Sequence, residues 1–432
     1  MQGNLLTTIL ALLVYLASGI FGGNSAQSSD PASKTPVNTN TQQLYPFTGT
    51  VNAAQVALRS DPSSNGKVVE TIKQDTNLLV LDEQNGWLFV QTDTDQKGWI
   101  ARWLVDAKRN TAFTANSKKI IAGYYVESYT NDPTGLRSLS QNISTINMII
   151  PFSYNIDNNG NIKGNHHQKT VSYAKTAGIT TLALINNIQS GNFSSNTIGK
   201  MLGSPSARTK AVNNILKLLL EKGYQGVNID FENVPAGYRS HLTAFFRELA
   251  AVLQPRGLLV TASVPAKTYD DQKSPHSGAF DFPALAPYLD QVMIMAYDQH
   301  YSGGPPGPVA SYPWVERVIN YTLKSFPANK VVLGLAGYGY DWTNHSGKAR
   351  NYNAIQEIIK KYNVSPKWHS EYKVPYFQYK SWGTTHQVWY ENSHSTAAKM
   401  TLVKKYNLRG VALWRLGYED PQVWKVIQQG FH

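Results

Sequence analysis

From about residue 118 onward, short apolar runs alternate with stretches of helical period. The runs cover residues 120–126, 147–152, 181–186, 226–231, 258–264, 291–297, 331–335 and 410–414. Runs of this length suit strands covered by a second layer of structure. Between two of them, Val212, Ile215, Leu216 and Leu219 recur at i, i+3, i+4 and i+7, and Lys222-Gly223 supplies a stop. Leu242, Phe245, Phe246, Leu249, Val252 and Leu253 repeat that stripe before Pro255. Eight strands joined by crossovers predict an α/β chain closed into a parallel (β/α)8 TIM barrel, placed at residues 117–432. The interval between the seventh and eighth strands is too long for one helix. It predicts a small α+β insertion at about 341–395, with a helix near 354–362 and strands near 374–380 and 386–390. Trp368, Tyr372, Tyr376, Tyr379, Trp382, Trp389 and Tyr390 make it rich in aromatic residues.

Residues 47–107 follow a different pattern. Val56-Ala57-Leu58, Val68-Val69, Leu78-Leu79-Val80-Leu81, Trp87-Leu88-Phe89-Val90 and Trp99-Ile100 are separated by turn residues such as Asn65-Gly66 and Asn85-Gly86. This predicts a small all-β barrel ahead of the large one. The stretches 56–62, 86–90 and 98–100 resemble the bacterial Src-homology-3-like domain. That resemblance implies a module that binds cell-wall peptide or glycan, with Trp87 and Trp99 as ligand platforms or as packing residues. Further upstream, residues 5–21 are almost uninterruptedly apolar, and Gly22, Gly23, Ser25 and Ala26 follow. Residues 1–26 therefore read as a secretory signal peptide or an uncleaved membrane anchor. Residues 27–46, rich in Ser, Thr, Asn, Gln and Pro, read as a flexible linker.

Composition narrows the chemistry. The 432 residues contain no cysteine, which removes disulfides, thiolate metal sites and a cysteine nucleophile. The formal net charge is +12, from 40 Lys+Arg against 28 Asp+Glu. The basic residues are scattered, without a basic helix or an aromatic-basic nucleic-acid motif, so no nucleic-acid partner is expected. A polyanionic surface such as a bacterial wall suits that charge, as does ordinary solubility.

The segment Gly226-Val227-Asn228-Ile229-Asp230-Phe231-Glu232 carries the most information. Side chains alternate between the faces of a strand, so Asn228, Asp230 and Glu232 share one face and Val227, Ile229 and Phe231 the other. Neighbouring carboxylates repel, and burial disfavours their charged forms. That environment suits a carboxyl group that keeps its proton near neutral pH and gives it to a leaving group. At the end of a parallel barrel strand, it also sits where such barrels place their active sites.

Here the chain resembles glycoside hydrolase family 18, whose signature at the fourth strand is DxxDxDxE. Residues 225–232 keep the last two acids, Asp230 and Glu232, and carry Gln225 and Asn228 where Asp is usual. The form Gly-Val-Asn-Ile-Asp-Phe-Glu is similar to a bacterial branch of spore and cell-wall N-acetylglucosaminidases. Met293-Ile294-Met295-Ala296-Tyr297-Asp298 is similar to the family's Met-x-Tyr-Asp motif, and Trp414 ends the eighth strand. The resemblance implies substrate-assisted retention, with Glu232 as acid and the substrate's own 2-acetamido oxygen as nucleophile. Asp230 then orients the acetamide, Tyr297 hydrogen-bonds its oxygen, Asp298 binds or supports the sugar, and Trp414 stacks under it. Met295, Tyr124 and Phe152 are expected to line the same cleft. Asn228 is expected to hydrogen-bond Asp230 as a neutral partner.

No cofactor and no metal are expected. His166, His167 and His276 lack the spacing of a metal site and read as solvated loop residues. The expected protein is a monomeric, exported or envelope-associated bacterial hydrolase acting on a polysaccharide. Peptidoglycan is favoured by the wall-binding module and the charge. A chitinase or chito-oligosaccharide hydrolase is the second enzyme reading. A lectin-like glycan binder on the same scaffold is the rival from another class, and Glu232, Asp230 and Tyr297 argue against it.

Overall fold

The computed structural model describes residues 46–107, 118–344 and 346–431. The expected signal or anchor and nearly all of the expected linker lie outside the described residues. The chain divides into two compact units, one holding the N-terminal sheet and one holding the large barrel.

The N-terminal unit is a seven-stranded sheet, from Phe47–Val51 to Val105–Ala107, in which every pairing is antiparallel. Alternate residues point inward, and Val51, Leu58, Val80, Leu88, Val90 and Ile100 form its core. Trp87 and Trp99 stay outside that core. Trp99 packs on Phe89, with ring centroids 5.2 Å apart, and Trp87 meets Trp103 edge-on at 6.3 Å.

In the second unit, eight parallel strands close into a barrel. In order they are Ile120–Tyr125, Met148–Ile156, Thr180–Asn186, Gly226–Asp230, Leu259–Pro265, Gln291–Met295, Val331–Ala336 and Gly410–Trp414. The eighth pairs with the first and the first with the second, which leaves no open edge in the ring. Helices pack on the outside. Pro205–Lys222 starts on Ser204, whose hydroxyl accepts from Ala207 N, and ends at Gly223 in a left-handed conformation. Its Val212, Ile215 and Leu219 are buried, as is the whole expected stripe of Arg239–Leu253. On the fourth strand, Val227, Ile229 and Phe231 face this helical layer, and Phe231 packs on Phe245 at 5.5 Å. Asn228 and Asp230 face the barrel interior and are also buried.

The insertion is larger than the sequence pattern implies. It is a five-stranded antiparallel sheet beginning at Tyr338, one residue after Gly337, with the helix Tyr352–Tyr362 on one face. Tyr338–Thr343 and Ser346–Asn351 form a hairpin that the pattern did not suggest. The helix Ser393–Lys405 packs against Val423–Gly430 and so belongs to the outer helical layer.

Candidate active site

The site is assembled at the C-terminal ends of the barrel strands. Asp230 is the last residue of the fourth strand, and Glu232 lies two residues beyond it. Asn187, fully buried just past the third strand, clamps the Glu232 backbone from both sides. Its Oδ1 accepts from Glu232 N at 2.9 Å, and its Nδ2 donates to Glu232 O at 2.9 Å. The acid is therefore held at its backbone while its side chain reaches the cleft.

Below Asp230 runs a network of neutral groups. Asn228 Nδ2 donates to Thr261 Oγ1 at 3.0 Å and contacts Met293 Sδ at 3.5 Å. Asn228 Oδ1 accepts from Ser263 Oγ at 2.9 Å, and Ser263 Oγ lies 2.9 Å from Tyr124 OH. The expected direct bond from Asn228 to Asp230 does not form among the described residues. Residues i and i+2 of a strand share a face but sit about 7 Å apart, whereas a neighbouring strand is about 4.8 Å away. Thr261 is the register partner of Asn228 on the fifth strand, so the amide turns sideways. Ser263 supplies the side-chain hydrogen bond to Asp230. Gln225 is not in the site at all. At the opposite strand end, its Oε1 accepts from Thr181 N at 2.9 Å and Thr181 Oγ1 at 2.8 Å.

The sixth strand delivers Met295, Tyr297 and Asp298. Asp298 has φ of 57°, a left-handed conformation that Asp adopts more readily than most residues. Its Oδ1 accepts from Tyr338 OH at 2.6 Å and from Tyr340 OH at 2.9 Å. Both tyrosines come from the first strand of the insertion. Gly334 on the seventh strand makes room for Tyr297: a Cβ there would sit 3.0 Å from the Tyr297 ring and 2.3 Å from Ile294 O.

Across the mouth, Trp414 is flanked edge-on by Tyr124 at 5.4 Å and Phe152 at 5.5 Å. Tyr154 does not join them. A register irregularity beside the third strand brings Tyr154 opposite Ile185 directly after Phe152 opposite Leu184, and Tyr154 then faces the helices. The rim thus has two arcs. Trp414, Tyr124 and Phe152 occupy the arc of strands eight, one and two. Glu232, Met295, Tyr297 and Asp298 line a cavity of about 630 Å³ built from the loops after strands three to six. Asn192, Phe193, His276 and Trp314 add to its wall.

Electrostatics follow from this crowding. Glu232 keeps some contact with the cleft, yet the dense protein around it penalises its charged form, and the charges of Asp230 and Asp298 add to the effect. Its pKa is raised well above the ordinary range. Burial lifts Asp230 to about 7, against the opposing Ser263 hydrogen bond. Burial lifts Asp298 to about 6, against the Tyr338 and Tyr340 hydroxyls. The Tyr297 hydroxyl is also pushed up, first by burial and then by its charged neighbours. A protonated acid beside two partly ionised carboxyls and a neutral phenol can donate a proton and stabilise adjacent positive charge.

The structure thus gathers every expected site residue at one rim, with Asn228 one layer beneath. The expectation of solvated loop histidines needs correction for His166 and His167. His167 is buried, edge-on to Tyr125 at 5.3 Å and 3.2 Å from Glu127 Oε1. His166 packs against Tyr224, whose hydroxyl lies 3.0 Å from its Nδ1. Both fill space between strands and helices. His276 is, as expected, an exposed loop residue, at the rim of the cavity and 2.9 Å from Asn233 Oδ1. Sequence reasoning missed Asn187, Tyr338 and Tyr340 as supports of the site.

Comparisons with known proteins agree with this geometry. The candidate sporulation-specific glycosylase YdhD of Bacillus subtilis (strain 168) is 36% identical over 273 residues, which span 61% of this chain and 64% of that protein. A solved chitinase from Chromobacterium violaceum is 30% identical, with TM-score 0.68, covering 72% of this chain and 99% of that one. The spore cortex-lytic enzyme SleL of Bacillus megaterium is 26% identical, with TM-score 0.67, covering 86% of this chain and 80% of that one. Residues 54–106 match the bacterial SH3 domain family. Residues 120–419 match glycosyl hydrolases family 18, and with the barrel, its acids and its aromatic floor in place, the chain belongs to that family.

Proposed function

We propose that this protein is a cell-envelope glycoside hydrolase that cleaves β-1,4 bonds after N-acetylglucosamine in peptidoglycan, with retention of configuration. The observation that carries the reading is Glu232, a carboxyl with a raised pKa at the mouth of the cavity, set against Asp230 and Asp298. An acid that stays protonated near neutral pH can protonate the glycosidic oxygen as the C–O bond breaks. Asp230 acts in this reading as a support and not as the nucleophile. The attacking group is then the substrate's own acetamido oxygen, which closes an oxazolinium ring on the anomeric carbon. Asp230 orients the acetamide N–H and stabilises the ring's positive charge, and the Tyr297 hydroxyl donates to the acetamide. Asp298 holds its charge close to Glu232 and Asp230. Trp414, boxed by Tyr124 and Phe152, offers a flat apolar face for the reacting sugar. Water then opens the ring, and Glu232 takes its proton back.

Peptidoglycan is favoured by the relatives named for sporulation and the spore cortex. The bacterial SH3 domain and the net charge of +12 also favour it, because both suit a polyanionic wall. The similarity to a chitinase keeps chito-oligosaccharides as the second reading, since they carry the same 2-acetamido group. Mass spectrometry of products from purified peptidoglycan and, in parallel, from N-acetyl-chito-oligosaccharides separates the two. New N-acetylglucosamine reducing ends from peptidoglycan, absent with Glu232→Gln, are the expected result. Cleavage of chito-oligosaccharides alone would move the protein to the chitinases, and binding without products from either would make it a lectin.

A further inference from the structure

One buried polar atom beside the acid cluster has no role in the mechanism above. Asn186 ends the third strand, directly before Asn187, and is 1% exposed. Its neighbours at alternate positions, Ala183 and Ile185, pack with the helical layer, so Asn186 points into the barrel. The amide has a fixed orientation. Its Oδ1 accepts from Ile188 N at 2.9 Å, a bond that only the oxygen end can make. The Nδ2 end is buried and has no hydrogen-bond partner among the described residues. A buried donor left in that state costs free energy.

The register partner of Asn186 on the fourth strand is Asp230, one strand spacing away, about 4.8 Å. Both side chains face the interior, within reach of each other. On the other side the register partner is Asn155, which is exposed. Counting donors then singles out Asp230. The Thr261 hydroxyl donates to Val227 O at 2.9 Å, so it accepts from Asn228 Nδ2 and leaves Asn228 Oδ1 toward Ser263. Ser263 has one hydroxyl proton, claimed by both Asn228 Oδ1 and Asp230. The titratable groups that act with Asp230 are Tyr124, Glu232 and Tyr297, and none of them is a cation. An ionised Asp230 has two oxygens that only accept and a contested claim on one proton. The unused N–H of Asn186 is the donor it lacks.

We propose that Asn186 is a positioning residue for the reaction: its Nδ2 donates to Asp230 in the charged form and holds that carboxylate against the positive charge that develops on the substrate. The bond is absent in the resting arrangement and forms as Asp230 ionises. This rests on the substrate-assisted reading above and adds a residue to it.

Two variants test the assignment. Asn186→Ala removes the donor and also the bond to Ile188. In Asn186→Ser the hydroxyl can still accept from Ile188 N, but it ends one bond short of the Nδ2 position. Steady-state kinetics of the full-length protein are read across pH, on whichever of the two glycans the parent cleaves. Both variants are expected to lower kcat roughly 10–100-fold, the worth of one hydrogen bond to a charged group, with KM nearly unchanged. The acidic limb should move up by about one unit, because Asp230 then ionises later. Asn186→Ala alone should lose melting temperature. If Asn186→Ser restores the parent's kcat and acidic limb, the turn that carries Asn187 is what matters, and the assignment falls. A raised KM with an unmoved limb would put the N–H on the substrate and overturn it as well. An active parent with unaffected variants removes the assignment alone, whereas a parent that cleaves neither glycan removes the hydrolase reading with it.

Discussion

Asp230 and Asp298 reach the same cluster from different parts of the molecule, and their supports differ in kind. Asp230 stands on the barrel interior, where Asn228, Thr261, Ser263 and Tyr124 form a buried, neutral network that gives it one serine hydrogen bond. Asp298 stands against the insertion, which gives it two phenolic hydroxyls. Both are lifted by burial, Asp230 to about 7 and Asp298 to about 6. The ordering follows the donors, since each hydrogen bond to the charged form offsets part of the desolvation. The barrel therefore holds a carboxyl near its point of ionisation, while the insertion favours a more ionised one. Glu232 feels both.

The largest break in this arrangement is loss of the acid itself. Glu232→Gln keeps the shape and removes the transferable proton. It is expected to lower kcat by about 10²–10⁴-fold, with KM changed far less, as read in steady-state kinetics on a soluble glycan. A variant within tenfold of the parent would mean that another group protonates the leaving oxygen.

The comparison itself is probed next. Asn228→Asp places a second carboxyl beneath Asp230, in a network whose Thr261 hydroxyl already donates to Val227 O at 2.9 Å. With one more anion to share the space, Asp230 should ionise later, and the acidic limb of the activity–pH curve should move up by about one unit. An unshifted limb would show that the neutral network does not control Asp230. On the insertion side, the double change Tyr338→Phe and Tyr340→Phe removes both donors. Asp298 should then ionise at higher pH and bear less charge near neutrality. The weaker repulsion lowers the Glu232 pKa, so the alkaline limb should move down, with at most a several-fold loss of rate. If the alkaline limb stays in place, the charge on Asp298 is not what holds the Glu232 proton.

The two supports were unequally legible in the sequence. The acids of the fourth strand were visible because alternation puts residues i and i+2 on one face, and their apolar neighbours were visible for the same reason. Their partners were not. Thr261 and Ser263 meet Asn228 through pairing with the next strand, a register that a local pattern does not carry. Asn187 was hidden at the end of an apolar run, where a polar residue reads as a turn. Tyr338 and Tyr340 did carry a local signal, since Tyr338-Gly339-Tyr340-Asp341-Trp342 alternates at period two. It was absorbed into the link after the seventh strand, because only one residue separates that strand from the insertion. His166 and His167 misled in the other direction: adjacent polar residues suggested a wet loop, while their rings pack on Tyr224 and Tyr125.

The smallest effect concerns stability. A carboxyl whose folded pKa is raised favours the folded state below its unfolded pKa, near 4, and loses that contribution as pH rises through the folded value. For this cluster the loss runs through about 6 for Asp298 and about 7 for Asp230, and Glu232, also raised by burial and its acidic neighbours, adds to it. Glu232→Gln removes one raised acid of the cluster and relieves repulsion on the other two. Its melting temperature should match the parent at pH 3, where the glutamic acid is protonated in both states, and exceed it at pH 8.5. Each ~1 kcal/mol of relief corresponds to roughly 2–4 °C in a domain of 150–250 residues, and somewhat less in this larger barrel. Thermal unfolding at the two pH values decides the matter, because a packing change from Glu to Gln would shift both by the same amount. A pH-independent offset would mean that the acid is already well solvated in the folded protein, and the electrostatic basis for its catalytic role would have to be given up.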